Sequence, residues 1–191
     1  MKSSVWTDKK PGEEFFYVNI GFCVLAYIVE RITSQSFNEY CRENIFIPLE
    51  MNNTRFVLSE IDQSNMAVPY VMQDRSFNSF LNEYYLPLDF YSFRMYPAGN
   101  VMTSIEEFSH FLIAHMNNGK YKDKQILNTS TIDMMHSIQS PTLFHRVYYG
   151  FGFILYPTFN QKIKFYGHGG SLYGYNSQMI TRCRDNISIM Y

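Results

Sequence analysis

The stretch KIKFYGHGGSLYGYNSQMITRCRDNISIMY, residues 162–191, decides the fold class of this chain. β-Branched and aromatic residues are concentrated in short runs within it, and such runs are typical of strands. Asp185-Asn186 is a candidate hairpin turn, so we expect neighbouring strands to be antiparallel. The predicted strands are Val147–Tyr156, Lys162–Tyr166, Gln178–Cys183 and Ile187–Tyr191.

Helical patterns fill much of the chain upstream of these strands. Apolar residues at helical spacing predict a core helix over Ile20–Ile32. Serine followed three residues later by glutamate predicts two further helix starts, at Ser36 and Ser104. The apolar residues of the first helix are Phe22, Leu25, Ile28, Val29 and Ile32. The pair Ser36 and Glu39 predicts the start of a helix over Phe37–Ile45. The pair Ser104 and Glu107 predicts the start of a helix whose apolar face contains Ile105, Phe108, Phe111 and Leu112. Helices followed by a run of strands indicate an α+β fold.

Two other regions have weaker patterns. The residues from Val57 to Tyr96 show no sustained period and contain many aromatic residues, so we expect irregular structure there with short helices at most. A short helix is predicted after Ser130. Asn117-Asn118-Gly119 is typical of a helix end.

Composition excludes several classes of function. The 191 residues are 46% hydrophobic and 17% charged, which is typical of a globular protein. The net charge is -1 and the basic residues form no stripe, so no nucleic-acid partner is predicted. No apolar run reaches the roughly 18 residues that a transmembrane helix needs. His110 and His115 lack the HExxH pattern and are predicted beside the polar face of their helix, so neither a metal site nor a cofactor is predicted.

Two short motifs could carry chemistry. In Tyr17-x-Asn19, just before a helix, both side chains could face a cleft, although a tyrosine in such a place is more often part of the core. A phenol becomes a useful base only where nearby cations lower its pKa. In Gly167-His168-Gly169-Gly170-Ser171, glycines leave room for close approach to the backbone, and exposed strand N–H groups could bind an anion. A Gly-rich hairpin corner with a surface histidine is an equally good interpretation of the second motif.

Several motifs together, in order along the chain, resemble the serine β-lactamase-like hydrolases, the group of class C β-lactamases, DD-peptidases and related esterases. The matching segments are Pro11–Gly21 for PGxxFxYSNxGY, Asn44–Thr54 for IFxPLGMxNT, Pro97–Ser104 for PAGGLxST, Tyr149–Gly152 for YGLGW, and Gly167–Gly170 with Gly174 and Ser177 for GHGGxxxGxxS. Glu50 and Asn100 replace glycines of the family pattern. The resemblance covers nearly the whole chain and implies a β-lactamase/DD-peptidase-like α+β fold.

The resemblance also implies roles for the two motifs. The family transfers acyl groups through a serine, with the motifs SxxK, YxN and KTG or HxG. Tyr17 would help the SxxK lysine move protons to and from the nucleophile, and His168 would occupy the position of the KTG lysine. The implied substrate-binding residues are Asn19, Gly169, Gly170 and Ser171, with the N–H of Ser171 as half of the oxyanion hole. We therefore expect Tyr17, Asn19 and His168 to meet in one cleft.

The SxxK motif does not occur in these residues. No serine is followed by lysine three positions later, and Thr7-Asp8-Lys9-Lys10 lies too close to Tyr17 to serve. We expect the 191 residues to be a single, partial β-lactamase-related domain. It would have a helical subdomain over about 19–145 and part of an antiparallel sheet over about 147–191, and we expect it to be marginally stable and prone to association.

Two functional hypotheses follow. The first is a fragment of a serine hydrolase acting on an ester, a β-lactam or a peptide-like amide, inactive alone because the nucleophile segment is absent. The second is a degenerate, non-catalytic module that uses the same cleft to hold a small-molecule or peptide-like ligand. An in-frame SxxK encoded upstream of the Met1 codon would favour the first hypothesis.

Overall fold

The helices of the chain agree closely with the helical patterns of the sequence. The computed structural model describes residues 8–73, 84–140, 147–157, 162–185 and 187–191. Its helices are α1 (Asn19–Thr33), α2 (Phe37–Cys41), α3 (Ile105–Met116) and α4 (Thr129–Met135). The second helix is shorter than predicted because one π-helical turn, Arg42–Phe46, follows it. Short 3₁₀ turns lie at Leu58–Glu60, Gln63–Asn65 and Tyr96–Ala98.

The C-terminal strands form one antiparallel sheet of five. It contains β5 (Tyr148–Tyr149), β6 (Ile154–Pro157), β7 (Ile163–Leu172), β8 (Tyr175–Arg182) and β9 (Ile187–Met190), in the spatial order β5-β6-β7-β8-β9. Two small hairpins lie outside it, β1 (Tyr70–Gln73) with β2 (Tyr84–Pro87) and β3 (Lys120–Tyr121) with β4 (Lys124–Gln125). The predicted α+β class is confirmed.

Strand β7 continues past its predicted end at Tyr166, and strand β8 begins before its predicted start at Gln178. The Gly-rich segment is not a hairpin corner, because residues 167–171 continue β7 and pair with β8. The corner lies at Tyr173-Gly174, where Gly174 has a φ of 77° that favours glycine. At Gly167 a Cβ atom would run into the backbone carbonyl of Met179 on β8, so this glycine permits the close pairing of the two strands.

Other strand predictions need correction. The single strand predicted over Val147–Tyr156 is two strands, β5 and β6, because the chain turns between them at Gly152, whose φ is 82°. The irregular region that was predicted after Val57 contains the β1–β2 hairpin. Strands β8 and β9 do pair as a hairpin, but Asn186 of the predicted turn lies outside the described residues.

Two apolar clusters hold the elements together. One lies among the helices and contains the fully buried Leu49 and Met51. The other joins the sheet to the helices through Phe153, Leu155 and Tyr166. Phe111 of α3 packs against both clusters. The helix α3 therefore links the helical part of the chain to the sheet, as its predicted apolar face requires, although Ile105 at its start is exposed.

The two predicted capping boxes have different outcomes. At Ser36 the box is complete, since the serine accepts from the N–H of Glu39 and the Glu39 carboxylate reaches back to Ser36. At Ser104 only the serine half forms. The Glu107 side chain turns away and is buried against the loop at Asn53 and Thr54 instead.

Candidate active site

Tyr17 and His168 lie next to each other although 151 positions separate them in sequence. Their ring centroids are 5.8 Å apart. Tyr17 belongs to the extended lead-in to α1, and its ring also contacts Phe22 of that helix at 5.7 Å. His168 is carried by β7. The extended segment just before α1 therefore lies against the sheet where the Gly-rich segment runs.

A third aromatic residue, Tyr149, completes this contact. Its hydroxyl lies 3.1 Å from Nε2 of His168, and its ring is 6.1 Å from that of Tyr17. Phe15 packs on the other side of Tyr149 with ring centroids 5.0 Å apart. Tyr149 was not identified as a site residue from the sequence. Its only signal was its position at the start of the YGFG segment that resembles YGLGW.

The backbone N–H and C=O groups of Gly169 point away from β8. Gln178 on β8 exchanges both of its backbone hydrogen bonds with Tyr191, beyond the end of β9, at 2.9 and 3.1 Å. Gly169 pairs with Gln178, and the alternation of an antiparallel ladder then directs the N–H and C=O of Gly169 to the opposite edge of β7. The same alternation directs the groups of Ser171 to that edge.

That edge of β7 is not covered by β6 at this point. The pairing of β6 with β7 ends at Ile154 and Gly167, before the strand reaches His168. The N–H groups of Gly169 and Ser171 therefore face the open side of the sheet, next to the histidine ring. Two backbone donors in this arrangement can bind a carbonyl oxygen or an oxyanion.

The glycines of the segment have a structural reason as well. A Cβ on Gly169 would approach Oε1 of Gln178 to 2.7 Å, and a Cβ on Gly170 would approach Oγ of Ser177 to 2.8 Å. Both neighbours are side chains of β8. Because successive residues of a strand point to opposite faces, the two glycines make room for one side chain of β8 on each face of the sheet, and they leave the backbone of β7 accessible.

Burial, and no cation, controls the ionisation of the two tyrosines. Partial burial raises the pKa of Tyr17 above its ordinary value. Burial, with a smaller contribution from Tyr17, raises the pKa of Tyr149 further. Both phenols are therefore protonated at neutral pH, and the lowered pKa that a tyrosine base needs is not produced by the described residues.

Asn19 is the residue of the YxN-like motif to which the resemblance assigns substrate binding. It is the first residue of α1 and its side chain is exposed. Among the described residues it has no hydrogen-bond partner. The structure thus brings together Tyr17, His168 and the Gly169–Ser171 backbone, while Asn19 lies beside them without a contact of its own.

Of the two histidines of α3, which lie outside this site, His115 is placed differently from the prediction. His115 is buried rather than on the polar side of α3, and its Nδ1 lies 3.4 Å from Nε2 of His136. His110 is half-buried, and its Nδ1 hydrogen-bonds the carbonyl of Leu49 at 2.8 Å. In the part of the chain that the structure describes, no group of three or more His, Cys, Asp or Glu side chains is placed to hold a metal ion, and no helix is long and apolar enough to cross a membrane.

Comparison with known proteins identifies the family. A family model described as Beta-lactamase matches residues 3–191. The chain belongs to the Beta-lactamase family.

Relatives and solved structures of the family cover the chain to different extents. Protein flp of Staphylococcus aureus strain MW2 is 30% identical over 114 residues, which are 59% of this chain and 22% of the relative. Penicillin-binding protein 4* of Bacillus subtilis strain 168 is 26% identical over 198 residues, covering 95% of this chain and 40% of the relative. The solved octameric penicillin-binding protein homologue from Pyrococcus abyssi has a TM-score of 0.80 and 26% identity, over 97% of this chain and 40% of that one.

The fold extends to enzymes of lower sequence similarity. The D-amino acid amidase from Ochrobactrum anthropi has a TM-score of 0.71 at 21% identity and shares the fold. The chain spans less than half the length of its two penicillin-binding relatives, since it covers 40% of each.

Proposed function

We propose that these residues supply the YxN-like and HxG-like half of a serine hydrolase site, which transfers the acyl group of an ester, a β-lactam or a peptide-like amide. The observation that carries the proposal is the 5.8 Å contact of Tyr17 with His168 beside the uncovered N–H groups of β7. These three elements are the parts that an acyl-transfer site needs besides the nucleophile. They provide a proton-transfer group, a ring that borders the acyl group and donors for an oxyanion.

The SxxK segment is the missing part of this proposed mechanism. No serine in the 191 residues has lysine three positions later. A lysine ammonium next to Tyr17 would lower the raised pKa of the phenol, because a nearby cation favours the phenolate. Tyr17 would then act in proton transfer only together with that segment. We propose that the 191 residues by themselves do not hydrolyse these substrates.

The proposal is tested first on the 191-residue chain. It is incubated with a chromogenic β-lactam, a nitrophenyl ester and a fluorophosphonate probe, next to a heat-denatured control. We expect no turnover above the control and no covalent adduct on any serine. Either turnover or a serine adduct would contradict the proposed inactivity of these residues.

The second test concerns the gene. An in-frame SxxK upstream of the Met1 codon supports the proposal, whereas an in-frame stop codon directly upstream opposes it. If the longer product exists, Tyr17→Phe should lower its kcat by roughly 10²–10⁴, the usual contribution of a proton-transfer group. Tyr27→Phe is the matched control, because Tyr27 is an exposed residue on α1.

A non-catalytic binding module is the second candidate function. The observation that favours it is the combination of an accessible donor edge on β7 with the absence of SxxK from these residues. Its test is titration of the 191-residue chain with N-acetyl-D-alanyl-D-alanine, followed by calorimetry. Binding that His168→Gln abolishes, without hydrolysis, supports the module, and no binding at millimolar ligand argues against it.

A further inference from the structure

The hydrogen bonds of His168 define which of its ring nitrogens carries the proton. Its Nδ1 lies 2.6 Å from the carbonyl oxygen of Gly169. A carbonyl oxygen only accepts hydrogen bonds, so Nδ1 must be the donor in this contact. In the neutral ring, Nε2 is then the unprotonated nitrogen, and it needs a donor of its own.

We propose that Tyr149 is a positioning residue for His168: its hydroxyl donates to Nε2 and holds the neutral imidazole in the Nδ1–H tautomer. The 3.1 Å separation of the hydroxyl and Nε2 is the distance of a hydrogen bond. The tyrosine O–H, the imidazole ring and the Gly169 carbonyl form a chain in which each donor has one acceptor. This role goes beyond the proposed function. It rests on that proposal in one respect, because the proposal places His168 beside the substrate.

Tyr149 is suited to this task because it is rigidly held. Only 8% of its surface is exposed, and Phe15 and Tyr17 pack against its ring. Its backbone N–H donates to Oγ of Ser140 at 3.0 Å, and its carbonyl accepts from the N–H of Gln139 at 3.0 Å. Because its ring and its backbone are both held, its hydroxyl oxygen stays within hydrogen-bond distance of His168. Burial also raises the pKa of the phenol, so the hydroxyl keeps its proton.

The tautomer has a consequence for the open edge of β7. The Gly169 carbonyl faces that edge, and it accepts a hydrogen bond from the Nδ1–H group of His168. The N–H groups of Gly169 and Ser171 then remain free to donate at this edge, while the Gly169 carbonyl is no longer available as an acceptor. A site with donors and few acceptors favours an oxygen that carries negative charge. Tyr149 would thus act on the substrate only through His168.

The test is magic-angle-spinning NMR of the 191-residue chain with ¹⁵N-labelled histidine, a method that also works if the chain associates. The variant His168→Gln identifies the signals of His168 by their disappearance. At a pH where His168 is neutral, we expect its Nδ1 to be protonated and its Nε2 to be bare. In Tyr149→Phe, which keeps the packed ring, we expect the Nδ1–H signal to fall to a mixture with the Nε2–H form. The reason is that an imidazole without the Tyr149 donor can turn away from Gly169.

Tyr17→Phe is the matched control. Tyr17 contacts the same imidazole, but among the described residues its hydroxyl has no hydrogen bond to His168. Its removal should leave the tautomer unchanged. An Nε2–H tautomer in the unmodified chain, or an unchanged tautomer in Tyr149→Phe, would overturn the inference. The readout does not depend on turnover, so failure of the proposed hydrolase function gives a different result from failure of this positioning role.

Discussion

Gly167 is a residue of β7 at which the backbone of β8 leaves no room for a side chain. A methyl group there would overlap the backbone carbonyl of Met179, and backbone cannot move aside as a flexible side chain can. The strand pair would have to separate next to His168. The cost of forcing an extra carbon into such a place is about 1–3 kcal/mol.

We therefore expect Gly167→Ala to lower the free energy of unfolding by about 1–3 kcal/mol, measured by urea denaturation. Gly21→Ala is the matched control, because Gly21 lies inside α1 and a Cβ there meets only a methyl of Val18 at 3.4 Å. Alanine stabilises a helix interior relative to glycine by roughly 0.5–1 kcal/mol. Equal effects of the two substitutions would contradict the close approach at Gly167.

Glu107 shows how a residue can leave its expected partner for a better one. Its carboxylate accepts hydrogen bonds from the N–H and Nδ2 of Asn53, at 2.8 and 3.0 Å, and from Oγ1 of Thr54 at 2.7 Å. The local capping box would have used the same carboxylate for one bond. Three bonds to a buried, charged acceptor explain why the long-range arrangement is preferred.

Glu107→Ala should destabilise the chain by about 2–3 kcal/mol, since hydrogen bonds to charged groups are strong and the donors of Asn53 and Thr54 would lose their acceptor. Thermal and urea unfolding measure the change. Glu106→Ala, at the exposed neighbouring position, is the control and should stay within about 0.5 kcal/mol of the parent. A similar loss in both variants would show that Glu107 contributes through its negative charge in the first turn of α3 instead of its bonds.

At the scale of elements, α1 is a helix with apolar residues on nearly every side. Its only buried residue is Ala26. Residues of the apolar pattern that predicted the helix remain in contact with solvent, with Ile32 78% and Leu25 59% exposed. Exposed apolar surface of this extent is typical of an interaction site or of a tendency to aggregate.

We expect the 191-residue chain to bind a hydrophobic dye and to elute as oligomers. Replacing Ile20, Val24 and Ile28 together by Gln should reduce both effects without loss of stability, because Gln is at least as good a helix former. Ala26→Gln is the control on the buried side and should lower stability by about 1–3 kcal/mol. A monomeric parent with a cooperative melt above roughly 50 °C would be inconsistent with this expectation.

At the scale of the whole molecule, the exposed surface is large. It amounts to 14060 Å² for a mass of 22.6 kDa. A compact monomer of this mass exposes about 9,500 Å² by the usual scaling of area with mass. Much of the stability must then come from the two buried clusters. They meet at α3, which is the place where the helices and the sheet stabilise each other.

That junction contains the His115–His136 pair. Burial lowers the pKa of His115 to about 3, with a smaller contribution from His136. Burial also lowers the pKa of His136 to about 4, opposed in part by Asp133. Tyr166 of β7 stacks on the His136 ring at 3.8 Å. The folded chain therefore holds both imidazoles neutral between helices and sheet.

Stability should consequently fall as the pH drops below the ordinary histidine pKa. The unfolded chain takes up protons near pH 6.5, whereas the folded chain resists them until about pH 4 at His136 and about pH 3 at His115. Protons in this window favour unfolding, by up to about 1.4 kcal/mol per pH unit for each imidazole. The contribution is complete above pH 6.5 and is lost as the pH falls toward 4 and 3.

Urea midpoints measured from pH 7 to pH 4 test this. His136→Phe should flatten the profile, because phenylalanine can stack on Tyr166 without taking up a proton. Met134→Phe, at an exposed position of α4 that carries no titratable group, is the control, and its profile should follow that of the parent. Parallel profiles for the parent and His136→Phe would exclude His136 as a source of acid sensitivity.

Features that depend on neighbours along the chain were determined by the sequence alone. The α+β class, the bounds of α1 and α3, the complete cap at Ser36 and the family all follow from local patterns and their order. Helix periodicity and caps act over three or four residues, so the residues that make them are always within reach. The Gly-rich motif was also correctly singled out, because glycine removes a side chain wherever it stands.

Features that depend on a distant partner were decided only by the tertiary structure. Tyr149 meets His168, His115 meets His136, and Glu107 leaves its cap for Thr54, at separations of 19, 21 and 53 residues. The sequence shows which groups can donate, accept or stack, but packing of the sheet against α3 and against the segment before α1 decides which of them meet. The reason is physical: local hydrogen bonds have one nearby partner, whereas a buried polar side chain takes whichever partner the packed core places within about 3 Å.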